Sequence, residues 1–356
     1  MVGSIAQLPE DVPTGRLTQD TARLDFIQGE PIVPQFLYWV LRTPHYRQYC
    51  AGRVTGSVAA SISREDFLSY PVPPMTSRSR IIIQVLEGME KKRALNRRLV
   101  QTLEVLSRAI FRVWFVDFEP VKAKAAGAKS FPSMPQVAYD ALSSRFADSE
   151  LGRIPEMWKV QTLGDQCQIN EKTVRRNEIK GSIEYVDIAS VSEGRLDAVQ
   201  PMSFAEAPSR ARRRIRHGDT IWSCVRPNRR SYLFIHSPPE DRIVSTGFAV
   251  LSPKHFGPSY LHELTIQHEF VDYLVGNADG SAYPAVRPDD FAAAKVVVPP
   301  NSLIEAFEAT TMPLRDMIEH ANRESSKLAE LREYLLPKLL SGAARVSVPE
   351  QALTIS

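Results

Sequence analysis

The sequence is internally repeated, with landmarks near its start recurring in the same order roughly 225 residues later. Pro34 is followed by Gly56 and Phe67, and Pro258 is followed by Gly280 and Phe291, so the glycine-to-phenylalanine span is 12 residues in both places. Each copy continues with Val-Pro-Pro, at 72–74 and 298–300, and then with a long amphipathic stretch. This order predicts two copies of one unit, a globular piece followed by a helix.

The amphipathic stretches predict two long helices that pack against each other. The first, over 78–115, would be about 57 Å long at 1.5 Å per residue. Shifting the first leucine stripe by the repeat offset brings it into register with the second, and packing along these stripes requires antiparallel helices. The predicted helix-pair positions are Leu99, Leu103, Leu106, Ile110 and Trp114, with Leu328, Leu331, Leu335 and Leu339.

Prolines are expected to divide the second helix. The spacing of Ser302 and Glu305 is that of a capping box. Pro313 suits the first position of a new helix, and Pro337 should kink or end it.

The expected fold class is mixed α/β (α+β), with mixed-sheet globular domains joined by two long antiparallel, coiled-coil-like helices in a pseudo-two-fold repeat. Short apolar runs separated by Gly, Pro and Asn predict the strands. The expected domains are a partial first globular domain (1–76), a first spacer helix (77–118), a linker (119–151), a second, complete globular domain (152–300), a second spacer helix (301–342) and a tail (343–356).

Composition narrows the class of protein. The three cysteines, Cys50, Cys167 and Cys224, show no C-x-x-C spacing, which argues against a disulfide framework or a zinc site. We find no signal sequence and no long uncharged apolar stretch. These features predict a cytoplasmic protein without a metal or a membrane anchor.

Basic residues are concentrated between Lys172 and Arg230, where 13 Lys and Arg stand against seven Asp and Glu. Arginine pairs with phosphate and reads guanine, and asparagine reads adenine, so these residues predict a surface for double-stranded DNA. The alternative to DNA binding is, for the arginine clusters, a turn whose charges simply face water. For Tyr283 the alternative is a loop that merely leads into a strand. The candidate DNA-binding residues are Arg212, Arg213, Arg214, Arg216, Arg226, Asn228, Arg229, Arg230, Ser231 and Tyr283.

Signatures of catalysis are missing from the sequence. There is no phosphate-binding G-x-x-x-x-G-K-[ST] loop. His262 and His268 are six residues apart and do not share a helix face. Glu178-Ile179-Lys180 lacks the preceding Pro-Asp of a nuclease motif. We therefore expect no catalytic residue and no cofactor in this chain.

Taken together, the chain resembles the specificity (S) subunits of type I restriction-modification systems. The segments that carry the resemblance are IPEMW at 154–158, LGD at 163–165, HGDTI at 217–221, TGFAV at 246–250, residues 280–291, VVPP at 297–300 and LAELREYLLPKLLSG at 328–342, with IF and WFVDF within 110–118 as the end of the first helix.

The resemblance implies two target-recognition domains that each read half of a bipartite DNA site, with the helices as a ruler between them. It also implies methyltransferase (M) subunits, which use S-adenosylmethionine, and a restriction or motor (R) subunit, which uses ATP and Mg²⁺. Set against the second recognition domain, the first is expected to lack about 70 residues, so reading a bipartite site would need a missing segment, a second S chain or a different start codon from the one assigned. The alternative function is a scaffold or inhibitor that binds M subunits without reading DNA.

Overall fold

The computed structural model describes residues 2–8, 15–18, 21–26, 32–55, 61–175, 178–280 and 283–340, without the side chains of Ser77, Leu339 and Leu340. The expected fold class, mixed helix and sheet with two long helices, is confirmed. Two compact units form: unit 1 comprises Met1–Arg98 with Ala321–Ser356, and unit 2 comprises Leu99–His320. Each long helix contributes one part to each unit.

Helices occur in both units. They are α1 (Ile32–Val40), α2 (Pro44–Ala51), α3 (Arg64–Leu68), α4 (Ser77–Phe111), α5 (Glu119–Ala125), α6 (Gln136–Asp140), α7 (Leu163–Gln166), α8 (Pro258–Thr265), α9 (His268–Gly276), α10 (Pro288–Ala293) and α11 (Asn301–Leu340). A π-helical turn at Arg112–Val116 extends α4, and 3-10 turns occupy Ile188–Ser190 and Pro227–Arg229.

The strands all lie in unit 2. They are β1 (Phe146–Ser149), β2 (Gly152–Pro155), β3 (Lys159–Thr162), β4 (Cys167–Ile169), β5 (Ser182–Val186), β6 (Val191–Ser192), β7 (Arg195–Leu196), β8 (Gln200–Ser203), β9 (Ala211–Arg214), β10 (Thr220–Ser223), β11 (Tyr232–Phe234), β12 (Arg242–Ser245), β13 (Phe248–Pro253) and β14 (Lys295–Val298).

Two four-stranded sheets form the body of unit 2. One has the order β11-β10-β13-β4 and is antiparallel, with Ile221 opposite Val250. The other has the order β8-β5-β12-β9, and its β5–β12 pair is parallel, with Tyr185 opposite Ile243. Every residue of β10 is buried, so its sequence, Thr-Ile-Trp-Ser, need not alternate between apolar and polar residues. Two-stranded pairs β1–β2, β3–β14 and β6–β7 complete the sheets.

The long helices run antiparallel within each unit. In unit 1, Glu90 of α4 pairs with Arg332 of α11, while Asn96, further along α4, donates to the carbonyl of Ala321 at 3.3 Å. In unit 2, Phe111 at the end of α4 packs against Phe307 near the start of α11, with ring centroids 5.7 Å apart. Partner numbers on α11 fall as those on α4 rise, as an antiparallel pair requires.

The repeat offset recurs in these contacts. Asn96 and Ala321, which touch each other, are separated by 225 residues. At this offset Ile82 is equivalent to Phe307, and Phe111 is equivalent to Leu336. Ile82 and Leu336 lie in the core of unit 1, whereas Phe307 and Phe111 lie in the core of unit 2. Equivalent positions of the repeat are therefore buried in the core of one unit or the other.

The predicted leucine stripes match the buried line of the helices only in part. Leu103 and Trp114 are buried and Ile110 is partly buried, but Leu99 and Leu106 are 36% and 44% exposed. On α11, Leu331 is 43% exposed. Leu328 and Leu335 are partly buried, and the Leu339 side chain lies outside the described part.

Polar residues explain the difference. Asn96 and Ser107 on α4, and Arg315 and Arg332 on α11, occupy buried positions of the helices. Each of them has a hydrogen-bonding partner in the interior. A buried line predicted from apolar residues alone therefore includes Leu99, Leu106 and Leu331, which are exposed.

The prediction that a new helix begins at Pro313 is wrong, and the second helix does not end at Pro337, since α11 is continuous across both residues. A proline displaces the carbonyl four residues earlier, and these carbonyls belong to Ala309 and Glu333. Both residues are exposed, so water can satisfy the displaced carbonyls. The buried residues on either side of Pro313 keep the helix in place.

The stretch 119–151, expected as a linker with one short helix, contains α5, α6 and β1. Val121 and Tyr139 are at most 1% exposed and belong to the main core of unit 2. That core is rich in aromatic rings, with Phe115 and Tyr260 packed edge to face at 4.9 Å. The predicted tail at 343–356 lies outside the described residues.

Candidate nucleic-acid interface

The five residues Arg226–Arg230, here called the arginine turn, connect β10 to β11. A 3-10 turn at Pro227–Arg229 is flanked by Arg226 and Arg230, which both have left-handed backbones with φ of 53° and 54°. This conformation costs a residue with a side chain about 1–2 kcal/mol. The backbone is held by hydrogen bonds from the amide of Arg226 to the carbonyl of Pro284 (2.7 Å) and from that of Arg230 to Pro227 (3.0 Å).

Tyr283 joins the arginine turn across a short bridge between Val225 and Ala285. The guanidinium of Arg226 lies 4.5 Å from the centroid of the Tyr283 ring, a cation–π distance. The tyrosine itself is 70% exposed. Its neighbours Ser281 and Ala282, and residues 56–60 of the first copy, lie outside the described residues.

Asn228 and Arg229 form the outermost part of the turn and are exposed to solvent. Among the described residues, Arg229 has no ion-pair partner. Together with Arg226 and Tyr283, which comes from the neighbouring segment, they present amide, guanidinium and aromatic groups. Such groups can bind phosphate, hydrogen-bond to base edges and stack.

Arg230 has a different environment from the rest of the turn. Its side chain is only 17% exposed, its Nε donates to Glu193 at 2.9 Å, and its Nη2 donates to the carbonyl of Ile266 at 2.8 Å. Ser231 is also partly buried, and its carbonyl accepts from the amide of Ser223. The Arg230 side chain, a predicted DNA contact, therefore faces the protein.

The arginines of β9 and the following loop are partly engaged within the protein. Arg212 lies over the ring of Phe204 at 5.1 Å. Arg216 pairs with Glu171 at 2.9 Å and with Asp219 at 3.6 Å, so two carboxylates offset its charge. Arg214 is partly buried.

Arg213 of β9 is engaged by a residue in the segment that follows β4. It donates to the hydroxyl of Thr173 at 2.9 Å, and burial lowers its pKa. Burial raises the pKa of the Cys224 thiol, two residues before the arginine turn, to about 11, although a backbone hydrogen bond and the charge of Arg213 act against the rise. The sequence did not single out Thr173, because its partnership with Arg213 spans 40 residues.

A buried charged network lies in unit 2. The Glu263 carboxylate, whose side chain is 1% exposed, accepts hydrogen bonds from Ser107 of α4 at 2.6 Å and from Arg315 of α11. The adjacent His262 contacts the hydroxyl of Thr220 in β10 at 3.2 Å. Helix α8 therefore connects both long helices to the sheet that carries the arginine turn.

A second contact between α4 and the sheet runs through Tyr232, which is 1% exposed. Its hydroxyl donates to Glu193 at 3.0 Å and accepts from Arg108 of α4 at 3.3 Å. Sequence reasoning missed Glu193 and Arg108, since neither lies in an arginine cluster or in a recognisable motif.

Within the described residues, no group of three or more His, Cys, Asp or Glu side chains could hold a metal ion. None of the described helices is long and apolar enough to cross a bilayer.

Comparisons with known proteins are consistent with each other. No family model matches the chain. The specificity subunit of the type I restriction enzyme MjaIX from Methanocaldococcus jannaschii is 22% identical over 354 residues, covering 93% of this chain and 73% of the relative. The HindI specificity subunit from Haemophilus influenzae is 21% identical over 369 residues, covering 87% and 77%.

A solved structure shows a similar fold. The S subunit of a type I restriction-modification system from M. genitalium superimposes with a TM-score of 0.51 at 14% identity, covering 86% of this chain and 72% of that one. The resemblance drawn from the sequence is confirmed by these relatives.

Proposed function

We propose, from the homology of this chain to the specificity subunits of type I restriction enzymes, that it binds double-stranded DNA and directs M and R subunits to a bipartite site. The observation that carries the proposal is the arginine turn, where exposed Asn228 and Arg229 adjoin an Arg226–Tyr283 stack. The turn projects from a buried strand, so its position is set by the core of unit 2.

The chemistry of the turn suits both kinds of DNA contact. Arg229, which has no intramolecular ion pair within the described chain, would bind phosphate or the O6 and N7 atoms of guanine. Asn228 would pair with N6 and N7 of adenine. Tyr283 holds the Arg226 guanidinium in a fixed direction, which reduces the conformational entropy that binding costs. Arg213 would add a further contact.

Catalysis in this proposal belongs to the partners. The M subunits would supply adenine methylation from S-adenosylmethionine, and the R subunit would supply ATP- and Mg²⁺-dependent translocation and cleavage. The chain itself would contribute DNA recognition and the surfaces of its long helices. This complex would act on chromosomal DNA in the cytoplasm.

The test is DNA binding measured against salt. The chain is purified with its M subunits, and its affinity for a fluorescent duplex of about 30 base pairs is measured at several NaCl concentrations. Each phosphate contact contributes about 0.9 to the slope of log K against log salt. The double variant Arg226→Ala/Arg229→Ala should bind more weakly, with a slope smaller by about 1–2.

Arg153→Ala is the matched control, since Arg153 is 73% exposed and lies in β2 of the same unit, outside the arginine turn. It should change the slope much less. M-subunit binding without any DNA binding by the wild-type chain would instead indicate a scaffold or inhibitor. An unchanged slope in the double variant would show that the arginine turn is not the interface.

A further inference from the structure

We infer that Arg230 does not contact DNA but positions the arginine turn, and that it does so through Glu193, Tyr232 and the long helix α4. The inference rests on the proposed function, because it assigns a role within the same DNA-reading site. It separates Arg230 from Arg229, its neighbour in sequence, although both belong to one basic cluster.

The guanidinium of Arg230 is already occupied. Its Nε donates to Glu193 at 2.9 Å, its Nη2 donates to the Ile266 carbonyl at 2.8 Å, and its Nη1 lies 3.5 Å from Nδ1 of His268. A phosphate would have to displace these partners and the opposite charge of Glu193. Charge-assisted hydrogen bonds of this kind are about twice as strong as neutral ones.

The backbone of Arg230 supports the same role. Its φ of 54° is a conformation that glycine adopts at no steric cost and arginine does not. Residues held in such conformations persist only when their surroundings fix them. Here the side-chain contacts to Glu193 and Ile266 fix the residue, and with it the end of the Pro227–Arg229 turn.

From Arg230 the contacts continue to the long helix. Glu193 accepts from both Arg230 and the hydroxyl of Tyr232, and that hydroxyl accepts from Arg108 of α4 at 3.3 Å. The hairpin that carries Glu193 is fixed beside them, since the amide of Gly194 donates to the Tyr232 carbonyl at 3.0 Å. The conformation of the arginine turn is thereby tied to α4 through the buried Tyr232 and through Glu193, whose side chain is 50% exposed.

Two consequences distinguish a positioning residue from a phosphate contact. Loss of the Arg230 anchor should change which bases are preferred, because Asn228, Arg229 and Arg226 would no longer be held in one arrangement. It should not change the number of phosphates neutralised, so the salt slope should stay at the wild-type value. If Arg230 contacted phosphate, its loss would instead reduce the salt slope and leave base preference unchanged.

The experiment uses the chain in complex with its M subunits and four variants: Arg230→Ala, Arg230→Lys, Glu193→Gln and Tyr232→Phe. Base preference is measured by selection from a library of randomised duplexes, and the salt slope is measured on one fixed duplex. Glu193→Gln and Tyr232→Phe keep the size of the two side chains, so they test the inference even where Arg230→Ala fails to fold. Arg229→Ala is the matched control for a direct contact.

We expect Arg230→Ala, Arg230→Lys and Glu193→Gln to lower the ratio of specific to random-duplex affinity by about tenfold, which corresponds to 1.4 kcal/mol. Tyr232→Phe should lower it by a smaller factor in the same direction. All four should keep the wild-type salt slope, whereas Arg229→Ala should reduce the slope by about 0.9.

The inference is overturned if Arg230→Ala reduces the slope as Arg229→Ala does, or if Glu193→Gln and Tyr232→Phe leave base preference unchanged. A failure of the proposed function looks different: Arg229→Ala and Arg226→Ala would then also leave DNA binding unaffected.

Discussion

The buried pair between Glu263 of α8 and Arg315 of α11 allows a stability prediction of defined size. Their side chains are 1% and 5% exposed, and the only other described donor to the Glu263 carboxylate is Ser107. Changing Arg315 to methionine would keep most of the side-chain volume but leave a buried carboxylate without its cation. Removing one partner of a buried ion pair costs about 3–5 kcal/mol.

The double variant should behave very differently. With Glu263→Leu and Arg315→Met together, no uncompensated charge remains, and such replacements are often neutral or stabilising by about 1–4 kcal/mol. The two changes should therefore be strongly non-additive, with a coupling energy of about 3 kcal/mol or more between directly contacting residues.

The assay is urea unfolding followed by tryptophan fluorescence. Trp114, Trp158 and Trp222 lie in unit 2, so the signal reports chiefly on the unit that holds the pair. Arg195→Met is the matched control, because Arg195 is 74% exposed in its pair with Asp197, and exposed pairs contribute about 0–1 kcal/mol. If Arg315→Met lowers the free energy of unfolding no more than Arg195→Met does, burial does not make the loss of this ion pair costly.

Two other predictions concern stability. His262 is buried, and burial, with the charges of Arg315 and Arg108, lowers its pKa well below 6.5. Because the unfolded chain then binds a proton that the native histidine does not, unit 2 should lose stability as pH falls below 6.5, by up to about 1.4 kcal/mol per pH unit. In His262→Asn this dependence should disappear from urea midpoints measured between pH 7 and 5, and its persistence would contradict the assignment. Asn96 is 3% exposed and donates to Ala321 and Glu324, so Asn96→Ala should destabilise unit 1 by about 1–3 kcal/mol in unfolding followed through Trp39, whereas no loss would show that these hydrogen bonds are dispensable.

The repeat and the long helices could be predicted from the sequence, because leucine periodicity over many turns is a strong signal. The exact packing line could not, since buried Asn96, Ser107, Arg315 and Arg332 look like surface residues until their partners are known. The partner of Arg332 is Glu90, 242 residues away. Such distant pairs leave no trace in local spacing.

The strands were predictable where apolar runs are long, as in β10, β11 and β13. Strand β9 was missed because its sequence, Ala-Arg-Arg-Arg, looks like a charged surface run. In the structure these arginines lie partly buried along the edge of a sheet.

The candidate site was predictable as a region but not as a set of contacts. Composition marks the cluster from Arg226 to Arg230, yet it cannot separate exposed Arg229 from Arg230, which is fixed by Glu193 some 37 residues earlier. Stacking of Arg226 on Tyr283 also depends on a bridge between distant segments.

In the proposed function, this chain gives a methyltransferase its DNA sequence preference through the arginine turn. Genome-wide mapping of methylated adenine measures that preference, in cells with the gene, without it, and with Arg226→Ala/Arg229→Ala in its place. We expect one bipartite methylated motif that vanishes without the gene and is lost or relaxed in one half with the double variant. The same methylation pattern in all three strains would show that the chain does not direct methylation.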